Sequence, residues 1–194
     1  MYAFLRQVVL GVSVAALLAA CGSSAPVIKD QMDPLTGVTV TRSPAPLVLY
    51  RDNSARAAYA RDFVYVAPLS VNRMGNYNHY LWLGIWSSMS SQQLTDQRDG
   101  FESIVIFADG EPLRLELEGW TLSSIGVSRP VYNKPTATAA DAYYPVTLDQ
   151  IRLIAEARDI QLHTGGPRAA SYEPWDNLSQ GLAGIQEFVR HLAN

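Results

Sequence analysis

The sequence predicts an α+β fold, a mainly antiparallel sheet of about six to eight strands followed by two C-terminal helices. Three stretches point to it. The first is His79-Tyr80-Leu81-Trp82-Leu83-Gly84-Ile85-Trp86-Ser87-Ser88. With a strand's period of two, Tyr80, Trp82, Gly84 and Trp86 share one face, and Leu81, Leu83 and Ile85 share the other. Both faces are apolar, so this strand belongs mid-sheet with cover on each side. The second is Asp109-Gly110 between two strand patterns, the dipeptide that a tight hairpin turn demands. The third is Thr147-Leu148-Asp149-Gln150, a capping box opening an apolar pattern of helical period. A β-sandwich with appended helices is the alternative architecture.

Taken in order, residues 1–20 read as a segment that is removed, residues 21–34 as a polar, Pro-containing tether, and residues 35–194 as one globular domain. Thr36 to Arg42 alternates threonine with valine, which suits a one-sided strand, and Leu47-Val48-Leu49-Tyr50 starts another after Ser43-Pro44-Ala45-Pro46. Asp62 to Ala67 is apolar on both faces; Pro68 is expected to break or bulge it. Met74 to Asn78 is a turn into the aromatic strand, and Ser87 to Gly100 a loop longer than a hairpin needs. Phe101–Phe107 and Leu113–Glu118 are the arms of the Asp-Gly hairpin. Trp120 to Tyr144 is turn-rich and aperiodic. The first helix follows, expected to end near Asp159 and to bury Leu148, Ile151, Ile154 and Ala155. Ile160-Gln161-Leu162-His163 is a short strand. Asp176 or Asn177 then caps a last helix with the stripe Leu178, Leu182, Ile185, Phe188, Val189 and Leu192. A helix layer is expected above the face that carries Trp82.

The 194 residues are 48% hydrophobic and 17% charged, which describes a chain able to build a core. The formal net charge is −3, and residues 1–20 contribute only Arg6 to it. With no basic run, nucleic acid is not an expected partner, nor is electrostatic docking on anionic lipid. The single cysteine, Cys21, forbids an internal disulfide and a cysteine-rich zinc site.

Arg6 precedes an apolar stretch from Val8 to Ala20 that ends in small residues directly before Cys21. That run is short for a bilayer span, which needs about 20 residues, and has the shape of a cleavable export signal. Leu18-Ala19-Ala20-Cys21 resembles a bacterial lipobox, the mark of the bacterial lipoprotein class. The resemblance covers only the first 21 or so residues. It implies cleavage before Cys21, a diacylglycerol on its thiol and an acyl chain such as palmitate on its new amino group. Several acyl chains hold a protein on a membrane where one alone would be marginal. Gly22, where the class uses aspartate for inner-membrane retention, implies the outer membrane, with the folded part facing the periplasm.

Searches for chemistry return little. Gly165-Gly166-Pro167 lacks the Lys and Ser/Thr of a phosphate loop, and His79, His163 and His191 are not at metal-ligand spacing. No catalytic residues, metal site or cofactor are expected. Asp96, Asp99 and Glu102 lack the spacing of a calcium loop. The candidate ligand-binding residues are Tyr77, His79, Tyr80, Trp82, Trp86 and His163, with Tyr143, Tyr144 and Trp175 as further exposed aromatics. Tyr and Trp offer a flat apolar face and a hydrogen-bonding edge, suited to sugar or peptide. The expected function is a lipid-anchored, non-catalytic binding or scaffolding module of the cell envelope, partnered by an envelope protein or glycan. Two alternatives stand beside it. One is a hydrolase built from loop residues such as His79 or His163 with Asp99; the other is a carrier of a hydrophobic ligand.

Overall fold

The computed structural model describes residues 28–55, 57–89, 97–176 and 178–193. Among these, ten strands and two α-helices form an α+β architecture whose strand pairings are all antiparallel. The strands are β1 (Lys29–Met32), β2 (Thr39–Arg42), β3 (Leu47–Asp52), β4 (Arg61–Arg73), β5 (Asn76–Ser87), β6 (Ser103–Ala108), β7 (Glu111–Glu116), β8 (Ala140–Val146), β9 (Ile160–Thr164) and β10 (Ser171–Pro174). The helices are α1 (Leu148–Glu156) and α2 (Ser179–Leu192). The helices do not both follow the sheet, since β9 and β10 lie between them.

The spine is β4. On one edge β5 pairs with its whole length, from Asp62↔Ser87 to Arg73↔Asn76. The other edge is shared: β3 pairs with Arg61–Val66 and β2 with Leu69–Asn72. Pro68 falls in the gap between those two partners, where its missing N–H breaks no ladder bond, so β4 runs on unbroken. From β3 the sheet continues through β10, β9, β6 and β7; from β5 it continues to β8. The two limbs then approach each other. Glu118 N–H donates to Tyr143 O at 2.8 Å and Tyr143 N–H to Gly119 O at 3.0 Å, so the sheet curls round until β8 meets the chain leaving β7. One curled sheet replaces the two facing sheets that a sandwich would need. Lys29–Met32, within the stretch expected as a tether, is β1, paired with β2.

The inner face of the curl holds the larger core. Leu47, Leu49, Val64, Val66, Leu81, Leu83 and Ile85 meet Ile151 and Ile154 of α1 and Ile185 and Phe188 of α2 there. The capping box of α1 forms as expected: Gln150 N–H donates to Thr147 Oγ1 (3.2 Å) and Thr147 N–H to Gln150 Oε1 (2.8 Å). Helix α1 ends at Glu156, slightly before the expected Asp159. Two glycines let α2 lie close: a Cβ on Gly181 would stand 2.6 Å from Leu47 Cα, and one on Gly184 would stand 2.8 Å from Ser43 Oγ.

The outer face holds a second core, and neither α-helix covers it, only a 3-10 turn at Leu122–Ile125. Its lid is the irregular segment 120–139, which lays Leu122, Ile125, Val127, Val131 and Tyr132 over Val40, Ala67, Leu69, Val71, Trp82 and Tyr143. Three polar ties fasten that segment. Tyr132 Oη donates to Pro68 O (2.6 Å) and accepts from Ser43 N–H (3.0 Å). Buried Asp33 accepts from the Ser128 N–H and Oγ, both at 2.6 Å, and these bonds hold its pKa well below the usual carboxylate range. Lys134 Nζ reaches Asp141 at 2.9 Å.

Candidate binding site

The sequence candidates part company in space. Trp82 is 1% exposed, stacked on Tyr132 at 4.7 Å, and its indole N–H donates to Asp141 Oδ1 at 3.0 Å. It is a core residue with its polar edge satisfied, not a binding platform. Gly84 exists beside it for a steric reason: a Cβ there would fall 2.7 Å from two carbons of the Trp82 ring. Tyr80 packs half-buried against the same outer core, which raises its pKa through desolvation. Tyr143 and Tyr144, expected as exposed aromatics, are 2% and 0% exposed, and Tyr144 Oη donates to Phe101 O. His163 lies on β9 against Phe107, with ring centroids 4.8 Å apart, away from the other candidates.

Tyr77 and His79 do come together. They share a groove of about 420 Å³ with Asp30, Thr41 and His191, where β1, β2, β4 and β5 meet the end of α2. Thr41 Oγ1 donates to Asp30 Oδ1 (2.6 Å) and His191 Nε2 lies 3.3 Å from Asp30 Oδ2. His79 stands opposite Ser70 in the register, yet His79 Nδ1 and Ser70 Oγ are both buried without a hydrogen-bond partner. Burial lowers the His79 pKa. The carboxylate here links a hydroxyl to an imidazole, so the imidazole is not placed to take that hydroxyl's proton. Among the described residues no three His, Asp, Glu or Cys side chains gather where a metal ion would need them.

Trp86 belongs to another place. Tyr50, Phe63 and Trp86 stand directly opposite one another on β3, β4 and β5, on the outer face beyond the edge of the 120–139 lid. Trp86 stacks on Phe63 at 4.5 Å and 13°, Tyr65 meets its edge at 6.1 Å, and Trp175 packs edge-on against Tyr50 (5.0 Å) and Phe63 (5.2 Å). The Arg61 guanidinium lies over both Tyr50 and Trp175. Trp175 is 45% exposed, while Phe63 is the buried floor of the row.

Trp86 also rims a cavity of about 320 Å³ at the mouth of the curl, where the inner-face residues of the strand ends are polar. Asp62 Oδ2 accepts from Arg51 Nε (2.9 Å), Arg51 Nη2 (2.8 Å) and Asn53 Nδ2 (2.7 Å). Arg168 reaches Asp99 at 3.5 Å across the opening. The floor is Ile85, Phe101 and Tyr172, all buried; burial raises the Tyr172 pKa, so it stays a neutral phenol. Compared with protein-family models, curated proteins and solved structures, the chain shows no match. The site is therefore defined by its geometry.

Of the sequence candidates, Trp86 lines this cavity and Trp175 packs in the aromatic row beside it; Arg51, Asn53, Asp62 and Arg168 were not among them. One local signal existed: Arg51 and Asp62 are opposite charges that the β3–β4 register places face to face. Cys21, Asn177 and Asp96 lie outside the described residues.

Proposed function

We propose that this chain is a lipid-anchored protein of the cell envelope, facing the periplasm from the outer membrane, and that its folded part is a non-catalytic binding module. The observation that carries the binding role is the mouth of the curled sheet: a cavity with Trp86 at its rim and a buried floor of Ile85, Phe101 and Tyr172, whose charged wall groups are already paired with one another. Such groups present fixed donors and acceptors to a ligand, which is recognition chemistry. A hydrolytic role would need a nucleophile activated by a positioned base, and the groove around His79 and His191 offers no such contact. A carrier of a purely apolar ligand is favoured less, because Arg51, Asp62, Asp99 and Arg168 stand in the wall beside Ile85, Phe101 and Tyr172, and such a ligand would desolvate them without returning hydrogen bonds.

The anchor rests on the lipobox-like Leu18-Ala19-Ala20-Cys21. The chain from Cys21 to the start of β1 spans at most about 25–30 Å when extended, enough to hold the folded part just off a bilayer. Among the described residues no helix is long and apolar enough to cross a membrane. Fractionation of cells making the full-length chain or its Cys21→Ser form tests the reading. The native chain is expected in the outer-membrane fraction and the variant out of it; equal membrane attachment of both would refute lipid anchoring.

A further inference from the structure

We propose that the tips of the β1–β2 and β4–β5 hairpins dip into the surface of the bilayer that holds the chain, a second membrane contact that turns the mouth of the curl away from the lipid; this rests on the lipid anchor proposed above. The two tips lie at the same end of the sheet, because Met32, Thr39, Asn72 and Tyr77 stand in one row across β1, β2, β4 and β5. Met32, Leu35, Met74 and Tyr77 are all exposed at that end, and Met74 is 100% exposed. Single apolar side chains are ordinary on a surface, but several on and beside two neighbouring turns mark a contact. The β4–β5 turn shows that the fold does not require this. Met74 and Gly75 have φ of +51° and +89°, the same two-residue turn that Asp109 and Gly110 make at +51° and +86°. Asp, Asn or Gly settles readily at the first of those positions. Methionine is strained there and, fully exposed, gains nothing from the folded chain. Both tips are also held rigid before any contact. Gly75 N–H donates to Asn72 Oδ1 (2.8 Å), Leu35 N–H to Asp33 Oδ1 (3.1 Å) and Gly37 N–H to Asp33 O (2.8 Å), so binding has little left to order.

The reach of the chain and the charge of the tips name a bilayer as the occupant. The stretch from Cys21 to β1 spans at most about 25–30 Å. Lys29, where it enters the sheet, is about 10 Å along β1 from Met32. Acyl chains on Cys21 therefore put lipid within reach of both tips, and such tethering lets even a weak insertion persist. No exposed carboxylate opposes it. Across residues 31–38 and 72–78 the single acidic side chain is Asp33, which is buried and held by Ser128. Arg73 and Arg129, exposed beside the two turns, suit lipid phosphates. Met74 and Leu35 match the acyl boundary, and Tyr77, with an apolar ring and a polar hydroxyl, matches the headgroup layer. With the tips down, Arg51, Asp62 and Ser87 at the opposite strand ends open the mouth about 35–40 Å from the lipid.

The experiment measures the depth of single dyes on the acylated protein, purified from cells and reconstituted in vesicles of phosphatidylethanolamine and phosphatidylglycerol. Acylation consumes the thiol of Cys21, the chain's single cysteine, so Met74→Cys, Leu35→Cys and Tyr59→Cys each offer one free thiol for a fluorescent dye. Tyr59, exposed in the β3–β4 turn, lies at the far end of β4 from Met74 and serves as the comparison. Nitroxide carried on the lipid acyl chains is expected to quench the dye at positions 74 and 35 and to spare it at 59, and iodide in the water to do the reverse. Met74→Asn supplies a residue that suits the left-handed turn, so the fold tolerates it. With the dye at position 35 it is expected to weaken insertion about fivefold, the worth of half-burying one such side chain. Lipid quenching at 74 and 35 no greater than at 59, in vesicles that retain the acylated protein, would overturn the proposal and leave the anchor standing. Protein that carries no acyl chains would overturn the anchor, and the proposal with it.

Discussion

Gly84→Ala adds one methyl group to the most crowded spot of the outer core. The new Cβ would lie 2.7 Å from Cη2 and Cζ2 of Trp82, where an ordinary carbon contact needs about 3.5–4.0 Å. The ring would have to move by about 1 Å. It has nowhere to go: Tyr132 stacks on it at 4.7 Å, and its N–H is held by Asp141 at 3.0 Å. Overpacking of this kind costs about 1–3 kcal/mol, and a broken hydrogen bond to a charged acceptor about 1.5–3 kcal/mol more. Against this, Ala restricts the unfolded chain and returns about 0.4–1 kcal/mol. The net is a loss of about 1.5–5.5 kcal/mol, a fall in Tm of roughly 3–20 °C for a chain of this size. Thermal melts followed by near-UV circular dichroism read it directly. Trp82→Phe in the same chain is expected to recover at least about 1 kcal/mol of the loss, because the smaller ring vacates the contact. An unchanged or raised Tm for Gly84→Ala would refute the reasoning, since only a loosely packed Trp82 could absorb the methyl group.

Tyr132→Phe removes the hydroxyl that ties the 120–139 lid to Pro68 O and Ser43 N–H, which keep only their own 3.3 Å bond to each other; a loss of about 0.5–1.5 kcal/mol in urea unfolding is expected. Gly181→Ala places a methyl 2.6 Å from the Leu47 backbone, and the strain of lifting α2 exceeds the helix-propensity gain of about 1 kcal/mol, so Tm is expected to fall by about 4 °C. A rise would show that α2 does not press on β3. Burial lowers the His79 pKa, so below the unfolded value of about 6.5 the unfolded chain binds a proton that the folded chain resists. Stability is therefore expected to decline as pH drops from about 6.5 through the lower folded pKa, and His79→Gln to flatten that slope. His191→Gln, altering the same groove, is the control; an unaltered slope in His79→Gln would contradict the assignment.

What the sequence made legible was local. Asp109-Gly110 turns the β6–β7 hairpin with positive φ at both residues, as that dipeptide requires. The Thr147–Gln150 box opens α1, and the apolar stripe of α2 faces the inner core. The aromatic strand is buried mid-sheet with cover on both sides, as its two apolar faces demand. Which cover lies on which side was not legible. The helices took the Leu81–Leu83–Ile85 face, and Trp82 went beneath an irregular segment whose apolar residues have no period to announce them. β1 was hidden because all four of its residues are exposed, leaving no hydrophobic alternation to read. The mouth was hidden for a different reason: Arg51, Asp62, Asp99 and Arg168 come from four separate stretches, and only the closure of the sheet brings them together. Asp109 likewise accepts from the N–H groups of Arg158 and Asp159, which lowers its pKa, a contact no local pattern encodes.

The most direct test of a folded binding module held at a membrane by its first mature residue is the mass of the N-terminal peptide of the protein purified from cells. The expected peptide begins at Cys21 and carries the mass of a diacylglycerol on the thiol, with an acyl chain on the amino group. A peptide that begins at Met1, or one that begins at Cys21 with an unmodified thiol, would contradict it.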